Sequence, residues 1–340
     1  MNIKKSFLIA GAIACLSLMT SVATVVTLLA RDAERYENYP DTWLSIGSTE
    51  ISGDTLYFDQ MDMTGINRPI DTDGGNLVNP PMRTNFLMIG LDNHLLTDAL
   101  MAGTFYRDTG NIHLMSIPRD MYTEIPRHRK EQMRTDGIRM PSPVKINAVR
   151  AFGGRERGVN YLQAQLGEML GVEFDYYIEV ELSAFKKIVD AIGGVEMHIP
   201  HPMVYDDPYQ NLSINIPAGT QLFDGAMAEH VVRFRSFPMG DLGRNHTHME
   251  FMSQLIKQIL TREALMNDPL TLANIVLTDV RTNVGLDFVR YLPYLGSINR
   301  EGISAFVMPG TGQYIDGVSW FMPDTQALPN VINQVFYADV

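Results

Sequence analysis

Only one cysteine, Cys15, occurs in 340 residues, so no intramolecular disulfide can staple the fold and a core must hold it. Excess positive charge is also missing. The formal net charge is -12 and the pI near 5.1, which disfavours nucleic acid as the main partner, because phosphate backbones reward basic proteins. A phosphate site in this chain would have to be local. Charge of either sign is absent between Phe7 and Ala30. At about 1.5 Å per residue that run is long enough to cross a hydrocarbon layer of roughly 30 Å as a helix. Lys4 and Lys5 precede it while Arg31, Asp32, Glu34 and Arg35 cancel beyond it. Residues 7–30 therefore read as a transmembrane signal anchor, with 1–6 cytoplasmic and the rest outside the cell membrane. A cleaved signal peptide is the alternative.

What is present suits a globular chain, since 45% of residues are hydrophobic and 19% charged, enough for one large core or two modest ones. Residues 31–81, with scattered Gly, Asp, Asn and Pro, read as an extracytoplasmic linker or small accessory segment, and 82–340 as one α/β domain. The domain is organised around Met82–Met121. Asn85–Leu91, Ala99–Tyr106 and Asn111–Ile117 are apolar runs of strand length, and Arg107-Asp108-Thr109-Gly110 is a turn between the last two. Polar groups stand at the strand ends: Asp92, Asp98 and Pro118-Arg119-Asp120. Two carboxylates and a guanidinium on one sheet edge suit an anion with a hard divalent metal, while a hairpin with solvated Asp at its turns is the plainer reading.

Further along, Tyr122–Pro143 reads as a basic, solvated loop, and Lys145 is a lone cation in an apolar segment. Val159–Leu170 reads as a helix closed by Gly171, Tyr176–Val180 as a strand, Ser183–Ile192 as a helix capped by Ser183, and Val195–Ile199 as another strand. A second polar cluster follows. A short helix from Gly225 leads into Arg233-Phe234-Arg235, where an extended backbone would send both guanidiniums to one face; pairing with Glu229 or Asp241 is the alternative. Asp241 and Arg244 open a long helix to about Leu260, and a helix N-terminus favours phosphate. His246 and His248, two apart on that helix, point in different directions, which argues against a zinc pair. Leu286–Leu295, Ile303–Met308 and Asp324–Val335 continue the α/β texture as helix, strand and helix.

The ordered set Gly90-x-Asp92, Thr97-Asp98, Ser116-Ile117-Pro118-Arg119-Asp120, Lys145-Ile146-Asn147-Ala148, Gly153-Gly154, Gly193-Gly194-Val195, Leu222-x-Asp224-Gly225, Val232-Arg233-Phe234-Arg235 and Gly240-Asp241-Leu242-Gly243-Arg244 resembles the LytR-CpsA-Psr family. The resemblance implies an α/β fold with a central mixed β-sheet flanked by helices in three layers, behind one N-terminal transmembrane helix. It implies a phosphotransferase that moves a glycopolymer with its linking phosphate from a polyprenyl-pyrophosphate carrier to a peptidoglycan sugar hydroxyl. By that resemblance Asp92 and Asp98 would hold Mg²⁺, with Mn²⁺ as the alternative. Arg119, Lys145, Arg233, Arg235, Arg244 and His248 would contact the pyrophosphate, and Asp241 would orient an Arg or assist deprotonation of the acceptor. His94, Leu96, Thr247 and His248 depart from Arg or Gln common in the family. Those losses keep two further readings open, a noncatalytic polyprenyl-phosphate binder or regulator and a (pyro)phosphatase of such lipids. A DNA-binding regulator is disfavoured by the anchor and the charge.

Overall fold

In a computed structural model of the chain, residues 83–92, 96–210, 212–234, 236, 241–261, 268–285 and 298–338 are described, apart from the side chains at 210, 241–245 and 269. The expected anchor at 7–30, the linker at 31–81 and the amphipathic Leu286–Leu295 lie outside this set. Among the described residues no helix is long and apolar enough to cross a membrane.

The first three apolar runs form a meander of β1 (Arg83–Leu91), β2 (Thr97–Tyr106) and β3 (Ile112–Ser116). Next come β4 (Tyr122–Thr123), α1 (Arg127–Thr135), β5 (Val144–Lys145), α2 (Ile146–Leu170), β6 (Tyr176–Glu181) and α3 (Leu182–Ala191). Four short strands follow: β7 (Val195–Ile199), β8 (Met203–Asp207), β9 (Leu212–Ile216) and β10 (Gly219–Phe223). Then come α4 (Gly225–Arg233), α5 (Asp241–Ile259), α6 (Pro269–Asp279) and β11 (Val280–Thr282). The chain closes with β12 (Ile303–Val307), β13 (Gly310–Ile315), β14 (Val318–Pro323) and α7 (Leu328–Phe336). All of these belong to one compact unit, Glu50–Asn283 with Ser297–Val340.

Six strands make the main sheet in the order β11-β6-β1-β2-β3-β12. It is mixed: β1 runs parallel to β6 and β3 parallel to β12, while β2 is antiparallel to both β1 and β3. Strand alternation explains why helices cover both faces. Leu87, Ile89 and Leu91 join Leu162 and Leu166 of α2 and Ile332 and Val335 of α7. Phe86 and Met88 point the other way, to Met249, Met252 and Ile256 of α5. A separate core lies where β7–β10 meet α4 and α5 around Phe223, Val231 and Phe251. The first described strand and the last described helix are fastened together by Arg83, whose buried guanidinium donates to the carbonyl of Phe336 and lies 4.9 Å from the centre of the Tyr106 ring.

The expected three-layer architecture is thus present, with local corrections. Residues 127–135 of the supposed loop are a helix, because Met133 and Arg129 turn inward and Arg129 donates to Glu168 at 2.6 Å and to the carbonyl of Ala164. The helix expected from Val159 begins at Ile146 and bends at Gly154, whose φ of 71° side-chain-bearing residues rarely adopt. Leu182, not Ser183, starts α3, and Glu181 of the preceding strand sits at its cap. The last helix starts at Leu328, four residues after the expected Asp324.

Candidate functional site

Strand direction decides where the polar residues gather. The carboxyl ends of β1, β3, β6 and β12 and the start of β2 share one edge of the sheet. Asp92, Asp98 and the Pro118-Arg119-Asp120 turn therefore stand on that edge, as the strand pattern anticipates. Asp92 closes the β1–β2 connection: its backbone N–H donates to the carbonyl of Leu96, and its Oδ1 accepts the Leu96 N–H at 2.8 Å. A carboxylate that shapes its own turn is the plainer reading realised, and it also fixes the carboxylate beside the neighbouring strand.

Asp98 is engaged by Arg119, which donates through Nη1 to its Oδ1. Lys145 joins from β5, with Nζ 3.1 Å from Oδ1 of Asp120. The placement of Lys145 follows from the helix behind it. The first backbone N–H groups of α2, at Ile146 and Asn147, donate to the carbonyls of Met121 and Arg119 at 3.0 and 3.2 Å. Helix donors that would otherwise be orphaned thus tie the start of α2 to the turn that carries Arg119. Asp98, Arg119, Asp120 and Lys145 form one network of alternating charge. Asp120, not among the expected site residues, is its hinge; its position directly after Arg119 is the signal that could have found it.

Two buried polar atoms here lack a hydrogen-bond partner, Arg119 Nε and Thr97 Oγ1. Burying a donor unpaired costs about 1–3 kcal/mol, so a guanidinium N–H left this way suits an incoming acceptor. Arg119 Nε is 4.0 Å from Asp120, too far for a hydrogen bond. No group of three or more metal-ligating side chains occurs among the described residues. The donor set nevertheless fits Mg²⁺, which binds through one or two carboxylates and takes its remaining oxygens from water and substrate phosphates. Asp92 and Asp98, both at the sheet edge, are carboxylates of the type such an ion takes.

Arg233 belongs to a second network. It ends α4 as a helical residue, so the extended reading of Arg233-Phe234-Arg235 does not hold at its first member. The alternative pairing is found: Arg233 Nη1 donates to Glu229 at 3.0 Å, and Lys186 of α3 donates to the other carboxylate oxygen at 2.5 Å. Burial alone would raise the Glu229 carboxyl, but the hydrogen bonds and charges of Lys186 and Arg233 outweigh it and hold the group below the usual carboxylate range. His248 is buried, with Nε2 2.7 Å from the carbonyl of Val232, so it binds α5 to the end of α4 beside Arg233. Asp241 and Arg244 lie in the first turn of α5, as expected. Arg235 and His94 fall outside the described residues. Leu96, 52% exposed, directly precedes β2 and brings a hydrocarbon where the family commonly has a guanidinium.

A third cluster lies below the edge and escaped sequence reasoning altogether. Glu179 of β6, 2% exposed, accepts from Arg150 Nε at 2.8 Å, Arg150 Nη2 at 3.0 Å and Arg281 Nη1 at 2.7 Å. Arg150 stands one turn into α2, so this fork anchors to the sheet the same helix that presents Lys145.

An α/β/α sandwich with a charged cluster at the carboxyl edge of a mixed sheet defines the class, and residues 59–336 match the model of the LytR_cpsA_psr family. The chain belongs to that family. Among its relatives is the probable cell wall biosynthesis protein LcpB of Corynebacterium glutamicum, 36% identical over 214 residues, which are 63% of this chain and 46% of LcpB. The match therefore spans about half of that relative. The polyisoprenyl-teichoic acid--peptidoglycan teichoic acid transferase TagU of Bacillus subtilis is 26% identical over 70% of this chain and 71% of its own length. A solved structure of TagT bound to LIIa-WTA is similar in fold, with a TM-score of 0.59 at 22% identity, covering 83% of this chain and 98% of TagT.

Proposed function

We propose that this protein transfers a glycopolymer, with its linking phosphate, from a polyprenyl-pyrophosphate carrier to a sugar hydroxyl of peptidoglycan. The observation that carries the reading is the Asp98–Arg119–Asp120–Lys145 network at the sheet edge, with an unpartnered Arg119 Nε in its midst. The family and the activity in TagU's name support it. In this reading Arg119 and Lys145 bind the pyrophosphate oxygens, and Arg233, Arg235 and Arg244 supply further cations of the anion site; His248, expected there, instead holds the end of α4 through the Val232 carbonyl. Asp92 and Asp98 would hold Mg²⁺, or Mn²⁺ in its place, and the ion would supply further charge neutralisation. The acceptor hydroxyl oxygen attacks the sugar-side phosphorus. A new P–O bond forms, the bridging P–O bond to the prenyl phosphate breaks, and that phosphate leaves with the bond's electron pair. Asp241 takes the hydroxyl proton or orients an Arg. Such a transfer asks a protein for positioning and charge neutralisation more than for covalent chemistry. The carrier's lipid tail requires work at a bilayer, consistent with a single-pass membrane protein whose domain at 82–340 is extracytoplasmic.

The exposed Leu96 favours one rival, a member that binds the lipid without turning it over. Release of prenyl phosphate from a short synthetic polyprenyl-pyrophosphate-linked glycan decides between them. Turnover that requires Mg²⁺, falls about 100-fold in Arg119→Ala, and vanishes in Asp98→Ala is the expected result. Adding peptidoglycan then distinguishes transfer from hydrolysis. Tight lipid binding with no release, acceptor present, would establish the binder.

A further inference from the structure

The last hairpin is largely exposed, and two of its aromatic side chains, Tyr314 and Trp320, are not spent on the core. Apart from one isolated bridge from Phe321 to Met121, β13 and β14 pair with one another. Phe321 and Pro323 are buried, whereas Gln313, Tyr314 and Val318 are exposed, Tyr314 by 78%. Trp320, partly exposed, does not enter the core; it meets Tyr122, also partly exposed, edge-on with ring centres 5.3 Å apart.

Three contacts put this aromatic pair beside the charged network. The backbone N–H of Phe321 donates to the carbonyl of Asp120 at 2.9 Å, and Met121 bridges to Phe321. Tyr122 is the direct cross-strand partner of Lys145, and such partners share a face of the ladder. Lys145 in turn reaches Asp120. The polar groups around the rings also have a pattern. Gln313 is the cross-strand partner of Trp320, Ser319 is the partner of Tyr314, and Tyr122 donates its hydroxyl to Glu124 at 3.1 Å.

From this juxtaposition we infer that the Tyr122–Trp320 face of the hairpin is a pyranose-binding subsite adjoining the phosphate site. A pyranose ring offers a face of C–H groups, which packs on the electron-rich face of an aromatic ring, and a rim of hydroxyls, which need amide, hydroxyl or carboxylate partners. Trp320 and Tyr122 supply the first requirement; Gln313 and Glu124 supply the second. A core role for Trp320 would call for the burial that Phe321 has. An apolar protein partner would match the exposed Gln313 amide and the half-buried Glu124 carboxylate less well than a sugar does. The subsite deepens the transfer reading and rests on it for its purpose, though not for its existence. The sugar has two sources, the glycan of the donor lipid and the strand that accepts it.

The test uses the full-length protein in detergent. Binding of a soluble β-1,4-linked N-acetylhexosamine tetramer is measured by calorimetry for the native protein, Trp320→Ala, Trp320→Phe and Gln313→Ala. KM is measured for the lipid-linked glycan and, separately, for peptidoglycan strands. The expected result is a roughly tenfold weaker tetramer affinity in Trp320→Ala, restored in large part by Trp320→Phe, and a several-fold loss in Gln313→Ala. KM should rise for one of the two substrates with kcat little changed. A rise for the lipid-linked glycan assigns the subsite to the donor, and a rise for the strands assigns it to the acceptor. Affinity for sugar-free polyprenyl pyrophosphate should not change. Equal tetramer binding in Trp320→Ala and the native protein, or no tetramer binding by either, overturns the subsite. So does a loss of affinity for the sugar-free lipid as large as that for the tetramer. Tetramer binding without any turnover of the donor would instead overturn the transferase reading and leave the subsite standing.

Discussion

At the scale of single residues, the networks around Arg119 and Glu229 make different demands on the same kind of ion pair. Arg119 holds Asp98 through one nitrogen and leaves Nε without a partner. A lysine at 119 could keep the charge but not both directions of donation, because an ammonium lacks the planar fork of a guanidinium. Arg119→Lys should therefore recover little of the activity lost in Arg119→Ala, read as kcat/KM for release of prenyl phosphate. Glu229 acts on stability. Its carboxyl is held below the ordinary range by Lys186 and Arg233, so the folded state prefers it ionised more strongly than the unfolded chain does. The stabilisation is present above the unfolded value of 4.5 and is lost as pH falls through the lower folded value. Glu229→Gln should lower the melting temperature at pH 7, and the gap between variant and native protein should close in melts carried down toward pH 3. A gap of constant size would mean that the pair contributes packing and not charge.

At the scale of elements, α2 does the most for the site. Its start carries Lys145, its second turn sends Arg150 to Glu179, and between its two segments Gly154 provides the bend. The bend is tight enough that a Cβ at Gly158 would stand 2.0 Å from the carbonyl oxygen of Arg150. Gly158→Ala should cost on the order of 1–3 kcal/mol in denaturant unfolding. It should also raise KM for the donor lipid, since Lys145 moves with the helix. Arg150→Ala should cost about 3 kcal/mol, because a buried carboxylate loses its two-pronged partner; Arg281 keeps the loss from being larger.

These elements also separate what was legible in the sequence from what was not. The three strands of the meander were readable because each is an apolar run closed by turn residues. The charged residues at their ends were readable for the same reason. α1 was not, because Arg127–Thr135 has no apolar stripe; one of its two buried residues is an arginine. The alternation of Arg233-Phe234-Arg235 read as extended although α4 runs on through Arg233, since three residues cannot outweigh the helix behind them. Glu179 was invisible because a lone acid inside Tyr176–Glu181 shows no partner until Arg150 and Arg281 arrive from distant segments. The resemblance to the family supplied the order of the motifs, and the strand directions supplied the reason Asp92, Asp98 and Arg119 share one edge.

At the scale of the whole molecule, the sheet is finished from its far end. β3 gains its outer neighbour only when Ile303–Val307 is added, and Arg83 finds the carbonyl of Phe336 253 positions away in sequence. Contacts of such range form late and slowly, because chain entropy is spent before they yield anything. During synthesis the meander must wait, with one side of β3 unpaired, until Ile303–Val307 has left the ribosome. A message cut short before Ile303 would therefore release a chain with a bare strand edge beside an uncovered apolar face, the arrangement that invites pairing between copies. Such a product is expected in the insoluble fraction and not among weakly active soluble forms, so quality control in the cell would meet it as an aggregate.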